Sequence, residues 1–310
     1  MDEFSIIQNY FNNKKIKRND VITGTGDDCA IVQPPNNQEL LVTTDTLVSD
    51  VHFFSDADPY DIGYKAVAVN LSDLAAMGAT PYWVTGCLTI PNNDEVFLKG
   101  FSKGLFALLD EYNVALIGGD LTHGPLSITI QAMGFAPKGK AIKRSGAQPY
   151  DKIYVTNYLG DPALALKVLK NEINIPENFK QSILTKFNRP KPRLDISNKL
   201  IGIATAAIDL SDGLTSDLKH ILKMSNVGAK IYLDKIPLSN ALTKNLTREA
   251  ALELAIMGGD DYEICFTAPA STKIDFPAFE IGVITEKTSL QFIDSNGIEV
   301  TFSKDGYKHF

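Results

Sequence analysis

Cysteine, histidine and long apolar runs are all scarce in this chain of 310 residues, and each scarcity excludes a class of protein. The three cysteines, Cys29, Cys87 and Cys265, lie far apart and form no CxxC pair, so we expect reduced thiols rather than a disulfide framework or a zinc site. No run of about 18 apolar residues occurs, and the acidic N-terminus does not fit a signal peptide. These absences predict a cytoplasmic protein that does not span a membrane.

The common signatures of nucleotide-binding and hydrolytic enzymes are also missing. There is no GxxxxGK[ST] phosphate loop and no GxSxG turn, and the four histidines lack the spacing of metal ligands. The stretch GTGDDC at 24–29 lacks the third glycine of a dinucleotide-binding loop. The net charge of −7 argues against nucleic-acid binding. It does not exclude a phosphorylated small substrate, because a bound metal can supply positive charge locally.

Length and punctuation predict two domains. A chain of 310 residues exceeds what one hydrophobic core usually supports. A basic stretch with glycine and proline, 137–152, separates the halves, so we place the boundary between domains 1–137 and 138–310. Helical and strand-like patterns alternate in both halves, which predicts an α/β or α+β fold. The predicted elements include helices at 4–11 and 61–79, the second with a glycine stop at Gly78. Strands are predicted at 39–46, at 113–122, where the strand breaks at the glycine pair, and at 126–137, and a C-terminal hairpin turns at Asn296-Gly297.

A pair of short motifs occurs twice. Leu-Ser-Asp at 71–73 is followed by Gly-Gly-Asp at 118–120, and Leu-Ser-Asp at 210–212 is followed by Gly-Gly-Asp at 258–260. The spacing between the two motifs is nearly the same in both halves. Two short coincidences are too little to establish an internal duplication. They do favour the interpretation that both halves offer carboxylates to one shared cleft.

Acidic residues collect where predicted strands and glycine turns end. Clustered carboxylates repel one another and raise one another's pKa unless a cation joins them. Mg²⁺ prefers carboxylate oxygens and water, usually with substrate phosphates completing its shell. The acids together therefore predict a site for several Mg²⁺ ions, with hydroxyl groups as neighbours. The acids are Asp27, Asp28, Asp45, Asp73, Asp120, Asp209, Asp212, Asp260 and Asp261.

Each acid has a structural alternative when it is taken singly. Asp27 and Asp28 could be turn residues, and Asp212 could complement the dipole of the helix that follows it. Asp73 lies inside a predicted helix, where it could form a salt bridge with Lys65. The two glycine pairs could be tight turns only.

Seven motifs in order resemble one known family. They read GTGDDCAIV, TTDTLVSDVHF, YKAVAVNLSDLAAMGATP, LIGGDLTHGP, KRSGAQPYDKIYVT, IDLSDGL and GGDDYEICFT. Together they closely resemble the thiamine-monophosphate kinase family of the aminoimidazole-ribonucleotide synthetase-like superfamily. The resemblance runs from about Phe4 to the last residues.

The resemblance implies an ATP-dependent kinase that converts thiamine monophosphate to thiamine diphosphate. It implies a homodimer in which the sheets of two N-terminal α/β domains pair, with ATP in a cleft near that interface. Domain 1–137 then binds metal and ATP and forms the dimer, and the α/β domain 138–310 completes the active site. Two positions depart from the family pattern, since arginine is common at His123 and glutamate at Asp260.

The resemblance also assigns site residues one by one. The implied magnesium ligands are Asp28, Thr43, Thr44, Asp45, Asp73, Asp120, Asp209 and Asp212. The implied ATP contacts are Gly119, Asp120, Arg144 and Ser211. The implied thiamine-phosphate contacts are His52, Asp260 and Tyr307.

Other members of the superfamily fit less well. Selenophosphate synthetase needs a reactive cysteine in a glycine-rich N-terminal segment, whereas Cys29 stands at the start of a predicted strand, where we expect a small buried residue. A hydrogenase-maturation enzyme would end in a cysteine-bearing tail, and this chain ends in GYKHF. A non-catalytic nucleotide- or metal-binding module is the alternative from a different class.

Overall fold

The computed structural model describes residues 2–12, 14 and 16–302. The chain forms two compact units. One comprises the chain up to Leu74 together with Ala79–Gly139, and the other comprises Ala75–Gly78 together with the chain from Lys140 onward. The boundary between the two units after Gly139 lies close to the predicted domain boundary after residue 137. The inclusion of Ala75–Gly78 in the second unit was not anticipated from the sequence.

The first unit is built on a four-stranded sheet with the order β3-β6-β4-β5. Strands β4 and β5 are parallel, and the other neighbours are antiparallel. A small two-stranded sheet, β1-β2, accompanies it. The elements are α1 (Glu3–Ile6), a π-helical turn (Ile7–Phe11), β1 (Val21–Thr23), β2 (Ile31–Val32), β3 (Gln38–Val48), α2 (Pro59–Ala76), β4 (Thr80–Ile90), α3 (Glu95–Glu111), β5 (Ala115–His123) and β6 (Ser127–Pro137).

Helix α2 ends earlier than its sequence pattern predicts. Gly78 adopts a left-handed conformation with φ of 74°, and its N–H donates to the Ala75 carbonyl, as is typical of a helix C-terminus. A turn of three residues, 77–79, then leads into β4 at Thr80. The predicted stop at Gly78 is correct, and the helix itself ends at Ala76, three residues before the end of the predicted range 61–79.

The second unit is built on a seven-stranded sheet with the order β13-β12-β9-β11-β7-β10-β8. Only the β9–β12 pair is parallel among the strand pairs of the described chain in this sheet. Ile153, Ile208, Leu218 and Ile231 lie in its main apolar core. The elements are β7 (Lys152–Val155), α4 (Asp161–Leu169), α5 (Glu177–Asn188), α6 (Leu194–Leu200), β8 (Ala206–Asp209), α7 (Leu214–Ser225), β9 (Gly228–Tyr232), a 3-10 turn (Leu233–Lys235), α8 (Asn240–Asn245), α9 (Arg248–Met257), β10 (Ile264–Ala268), β11 (Phe279–Thr285), β12 (Leu290–Ile293) and β13 (Glu299–Val300).

The mixed α/β class and the C-terminal hairpin are confirmed. Strands β12 and β13 pair antiparallel, with Phe292 opposite Val300. Gly297 has a φ of 79°, and the Asp294 side chain accepts the backbone N–H groups of Asn296 and Ile298. Within the described residues, no helix is long and apolar enough to cross a membrane.

Candidate active site

Strand β3 and helix α2 bring several predicted metal ligands together in the first unit. The Thr43 hydroxyl donates a hydrogen bond to the Asp73 carboxylate, which joins the middle of β3 to the C-terminal part of α2. Asp45 lies two residues beyond Thr43 and so on the same face of the strand. Its backbone N–H donates to Asn70 Oδ1 at 3.2 Å. Asn70 is fully buried and is held in turn by the Ala66 carbonyl at 3.1 Å.

This group has the character of a cation site. Burial, and then the negative charge of Asp73, raise the pKa of Asp45 to about 6. A cation shared by the two carboxylates would relieve their repulsion, and Mg²⁺ prefers hard oxygen donors of this kind. Among the described residues, no three or more His, Cys, Asp or Glu side chains form a group that could hold a metal ion. An ion at Asp45 and Asp73 would therefore also depend on hydroxyl, water and phosphate oxygens.

Thr44 and His52 lie close in sequence to this group but are placed differently. The Thr44 side chain is on the opposite face of β3 from Thr43, where Gln131 Nε2 donates to its hydroxyl at 3.4 Å. His52 lies in the turn after β3, and its Nδ1 accepts the backbone N–H of Val48 at 3.0 Å. That contact leaves the Nε2 nitrogen to carry the proton of the neutral ring.

A second group of predicted residues lines one pocket of the first unit. The pocket has a volume of about 510 Å³, and Asp28, Gly119 and Asp120 are among its lining residues. Its apolar part includes the rings of Phe11 and Phe101. A pocket of this size, apolar with a few convergent polar groups, is typical of a small-molecule site.

Two expectations about this pocket are wrong. Cys29 is exposed and lines the pocket, whereas its position before a strand predicted a small buried residue. The Gly118-Gly119 pair does not break the strand, because β5 continues through it to His123. Asp120 therefore lies inside β5 rather than at the end of a strand. Asp45 likewise lies inside its strand, β3. Pairing with β4 keeps β5 extended through the glycines, since Gly86 lies opposite Gly119.

In the second unit, the Leu-Ser-Asp and Gly-Gly-Asp motifs are in direct contact. The backbone N–H of Asp260 donates to the Ser211 carbonyl at 2.8 Å, and that of Tyr262 donates to the Leu210 carbonyl at 2.8 Å. Asp260 and Tyr262 both have positive φ, at 67° and 50°. The Tyr262 hydroxyl donates to Asp260 Oδ1 at 3.1 Å, which fixes the direction of that carboxylate. A Cβ at Gly259 would lie 2.4 Å from the Ser211 carbonyl oxygen, so glycine is required there.

The backbone of Asp212, in the same loop as Ser211, is held by a buried acid. Asp217, in the first turns of α7, accepts the backbone N–H of Asp212 at 3.0 Å and is only 3% exposed. Burial raises the pKa of Asp217 to about 7, while the backbone of Asp212 and Ser211 and the positive charge of Arg144 act in the opposite direction. The loop with Ser211 and Asp212, which is predicted to bind nucleotide and metal, is thus held by the carboxylate of Asp217.

Two predicted acids of the second unit remain, one at the end of strand β8 and one in the segment before β10. Asp209 ends β8 as predicted, pairs with Ile264 and is buried. Asp261 is partly buried and accepts the Gly160 N–H at 2.9 Å, which attaches the segment before β10 to the start of α4. Burial raises the pKa of Asp261 well above its usual value, and the charges of Glu263 and Asp161 act in the same direction. Tyr307 lies outside the described residues.

Comparison with known proteins places the chain in a family. Residues 26–136 match the family described as AIR synthase related protein, N-terminal domain. The thiamine-monophosphate kinase of Salmonella typhimurium is 47% identical over 319 residues, covering 99% of this chain and 98% of the relative. The chain belongs to the thiamine-monophosphate kinase family. The predicted resemblance and the predicted enzyme class are confirmed.

Solved structures of the family have the same fold. The crystal structure of thiamine-monophosphate kinase from Stenotrophomonas maltophilia K279a superposes with a TM-score of 0.87 at 41% identity, covering 94% of this chain and 96% of the other. The structure of AaThiL complexed with AMPPCP and TMP superposes with a TM-score of 0.81 at 30% identity, covering 99% and 97%.

Sequence reasoning missed three residues that position the predicted site residues. Asn70 stands directly before the first Leu-Ser-Asp motif, one helical turn from Asp73, and this spacing was the available signal. Asp217 lies in the same sequence stretch as Asp212, but nothing in the sequence indicated that its side chain turns back. Tyr262 follows the acids of the second glycine pair, and its contact with Asp260 depends on a backbone conformation that the sequence does not reveal.

Proposed function

We propose that this enzyme transfers the γ-phosphoryl group of ATP to the phosphate of thiamine monophosphate, giving thiamine diphosphate and ADP. The observation that carries the proposal is the near full-length identity of 47% to a thiamine-monophosphate kinase. The AaThiL structure with the ATP analogue AMPPCP and TMP supports both substrates. In the reaction, a phosphate oxygen of the acceptor forms a bond to the γ-phosphorus, and the bond from that phosphorus to the β–γ bridging oxygen breaks.

The residues of the first unit support binding of a metal–nucleotide complex. Asp45 and Asp73, with the hydroxyl of Thr43, form the group of oxygen donors that best fits Mg²⁺. The pocket lined by Asp28, Gly119 and Asp120 is the proposed ATP site of this unit, since its volume of about 510 Å³ suits a nucleotide. Thr44, on the other face of β3, is proposed as a ligand only because the family resemblance assigns it.

In the second unit, the loop at Ser211 and Asp212 is proposed to bind ATP and metal, with Asp209 as a further metal ligand and Arg144 as a cation for the phosphates. Asp260, directed by Tyr262, is proposed to contact the thiamine phosphate. His52 and Tyr307 are proposed as contacts only because the family resemblance assigns them. Bound Mg²⁺ would neutralise the charge of the phosphates that must come together.

The chain's own contribution is to orient the reactants and to neutralise charge. The attacking oxygen, the γ-phosphorus and the leaving oxygen have to lie nearly in line. The second pKa of a phosphate monoester is about 6, so the acceptor is largely ionised at neutral pH and needs no general base. Positioning and electrostatic stabilisation therefore account for catalysis in this proposal.

The open face of the four-stranded sheet supports the proposed homodimer. Leu40 and Val42 on β3 are 51% and 53% exposed, and Val48 at the end of the same strand is also exposed. Leu41 and Leu47, on the opposite face, are buried in the core. A second copy that covers the exposed face would remove this apolar surface from water.

An ADP-release assay coupled to a panel of phosphate acceptors tests the function. We expect steady release of ADP that depends on thiamine monophosphate, and formation of thiamine diphosphate in equal amount. Thiamine and simple phosphate monoesters should give little release. ATP binding without acceptor-dependent ADP release would instead identify a non-catalytic nucleotide-binding module.

A further inference from the structure

The loop that carries Ser211 and Asp212 leads into a helix that has no side-chain cap. It joins β8 to α7, and the residue that caps α7 is Gly213, which has no side chain and a φ of 102°. A Cβ at Gly213 would lie 2.8 Å from the Gly258 carbonyl oxygen, so the capping position cannot carry a polar side chain without displacing the neighbouring loop. The usual side-chain cap of a helix N-terminus is therefore excluded here.

Asp217 instead holds the loop before the helix, from a position inside α7. It lies one turn beyond the capping residue, and its own N–H donates to the Gly213 carbonyl at 3.0 Å. Its carboxylate reaches back past the start of α7 to accept the N–H of Asp212 at 3.0 Å. The side chain is 3% exposed, so water does not compete well for this hydrogen bond. An acid placed only to complement the helix dipole would not need this burial or this backward contact.

The positive charge of Arg144, an exposed residue of the proposed nucleotide site, favours the ionised form of this carboxylate.

We infer that Asp217 is a positioning residue for the metal–nucleotide complex, which fixes the loop that carries Ser211 and Asp212. This inference rests on the proposed kinase function. Asp217 itself touches neither substrate. Its loss would let the loop adopt other conformations, so that the complex binds to a less ordered site.

The test compares Asp217→Ala and Asp217→Asn with a matched control, Asp161→Asn. Asp161 is also 3% exposed, lies in the first turn of α4 in the same unit, and accepts hydrogen bonds from Lys186 and Ser239. The control variant therefore removes the charge of an acid that is equally buried and also lies near the start of a helix, but outside the proposed nucleotide site. Asp217→Asn keeps the side-chain shape and one acceptor oxygen, which guards against a variant that fails to fold.

Steady-state kinetics supply the first readout. For Asp217→Ala we expect the KM for ATP to rise roughly 10- to 100-fold, as for loss of a hydrogen bond to a charged group. Asp217→Asn should show a smaller rise. The Mg²⁺ concentration that gives half-maximal activity should rise in parallel, and the KM for thiamine monophosphate should change less than about 3-fold. Asp161→Asn should lower the melting temperature but leave the KM for ATP within about 3-fold.

Hydrogen exchange of the free protein supplies a readout that does not depend on turnover. The Asp212 amide should exchange slowly in the wild type and in Asp161→Asn, and at least about 10 times faster in Asp217→Ala. If the wild type is active but Asp217→Ala and Asp161→Asn have the same KM for ATP, the inference is overturned and the proposed function stands. Equal increases in KM for both substrates would also overturn the inference. A wild type that releases no ADP with thiamine monophosphate would overturn the proposed function, and the inference would fall with it.

Discussion

The backbone N–H of Asp260 donates to the carbonyl oxygen of Ser211 at 2.8 Å. This hydrogen bond joins the second Gly-Gly-Asp motif to the second Leu-Ser-Asp motif, which are far apart in the sequence. It brings a residue proposed for the acceptor next to a loop proposed for the nucleotide. A phosphoryl-transfer site needs this proximity, because its two reactants are both phosphates.

The two residues of the first glycine pair should differ sharply in their tolerance of alanine. A Cβ at Gly119 would lie 2.0 Å from the Gly86 carbonyl oxygen, whereas the nearest atom to a Cβ at Gly118 is a Thr85 methyl at 3.9 Å. We expect Gly119→Ala to lose several kcal/mol of unfolding free energy or its ATP binding, and Gly118→Ala to stay within about 1 kcal/mol of wild type. Urea denaturation and ATP titration measure both, and equal behaviour of the two variants would refute the close contact.

Activity should depend on metal and on the acids of both motifs. We expect excess EDTA to abolish ADP release and added Mg²⁺ to restore it. Asp73→Asn and Asp212→Asn should each lower turnover by roughly two orders of magnitude or more while the circular dichroism spectrum stays unchanged. Asp110→Asn, which removes an exposed acid paired with Lys14, is the control and should be fully active. Full activity in EDTA would contradict the magnesium assignment.

The protein should be a dimer with a mass near twice 33.9 kDa by light scattering. Val42→Glu, on the exposed face of β3, should lower that mass toward the monomer because it places a charge in the proposed apolar interface. Val96→Glu changes an even more exposed valine on α3, 78% exposed, and should leave the dimer intact. A wild-type chain that is active as a strict monomer at micromolar concentration would disprove the shared interface.

Tyr307 is predicted to stack on the thiamine ring of the acceptor. Tyr307→Ala should raise the KM for thiamine monophosphate about 3- to 30-fold and change the KM for ATP little, as for the loss of one aromatic contact of about 0.5–2 kcal/mol. Tyr150→Ala, an exposed tyrosine of the second unit, serves as control and should change neither constant. If both constants move together in Tyr307→Ala, or if neither moves, the residue has a structural role instead.

Asp261 should make stability depend on pH. Its pKa in the folded protein is raised by burial above the usual value of 3.8, so the folded state holds a proton that the unfolded state releases. Stability from this group is present below the unfolded pKa and is lost as pH rises toward the folded pKa, by up to about 1.4 kcal/mol per pH unit. Asp261→Asn lacks this loss and can still accept the Gly160 N–H. Between pH 5 and pH 8, the unfolding free energy of Asp261→Asn, measured by urea denaturation, should therefore increase relative to that of wild type. If the unfolding free energies of the two proteins change in parallel with pH, Asp261 is ionised in the folded protein.

The repeated motifs show what the surrounding chain adds to a short sequence. In the second unit, Ser211 and Asp212 lie in the predicted turn between strand and helix, and the hydrogen bonds of this turn to the glycine pair were not predicted. In the first unit, Ser72 is buried in the middle of α2, and Asp73 faces Thr43 on β3. Identical tripeptides thus occupy a helix and a loop, because the surrounding chain and its packing decide the conformation of so short a segment.

The sequence by itself determined the family, the α/β class and the set of acids, because ordered motifs and periodic apolar residues are local properties of the chain. Only the tertiary structure decided that Thr43 and Thr44 face opposite sides of β3, that Cys29 is exposed beside Asp28, and that Asp217 reaches back to Asp212. Such contacts depend on sheet register, on close backbone approaches at Gly119 and Gly259, and on burial, which arise only when distant segments pack together.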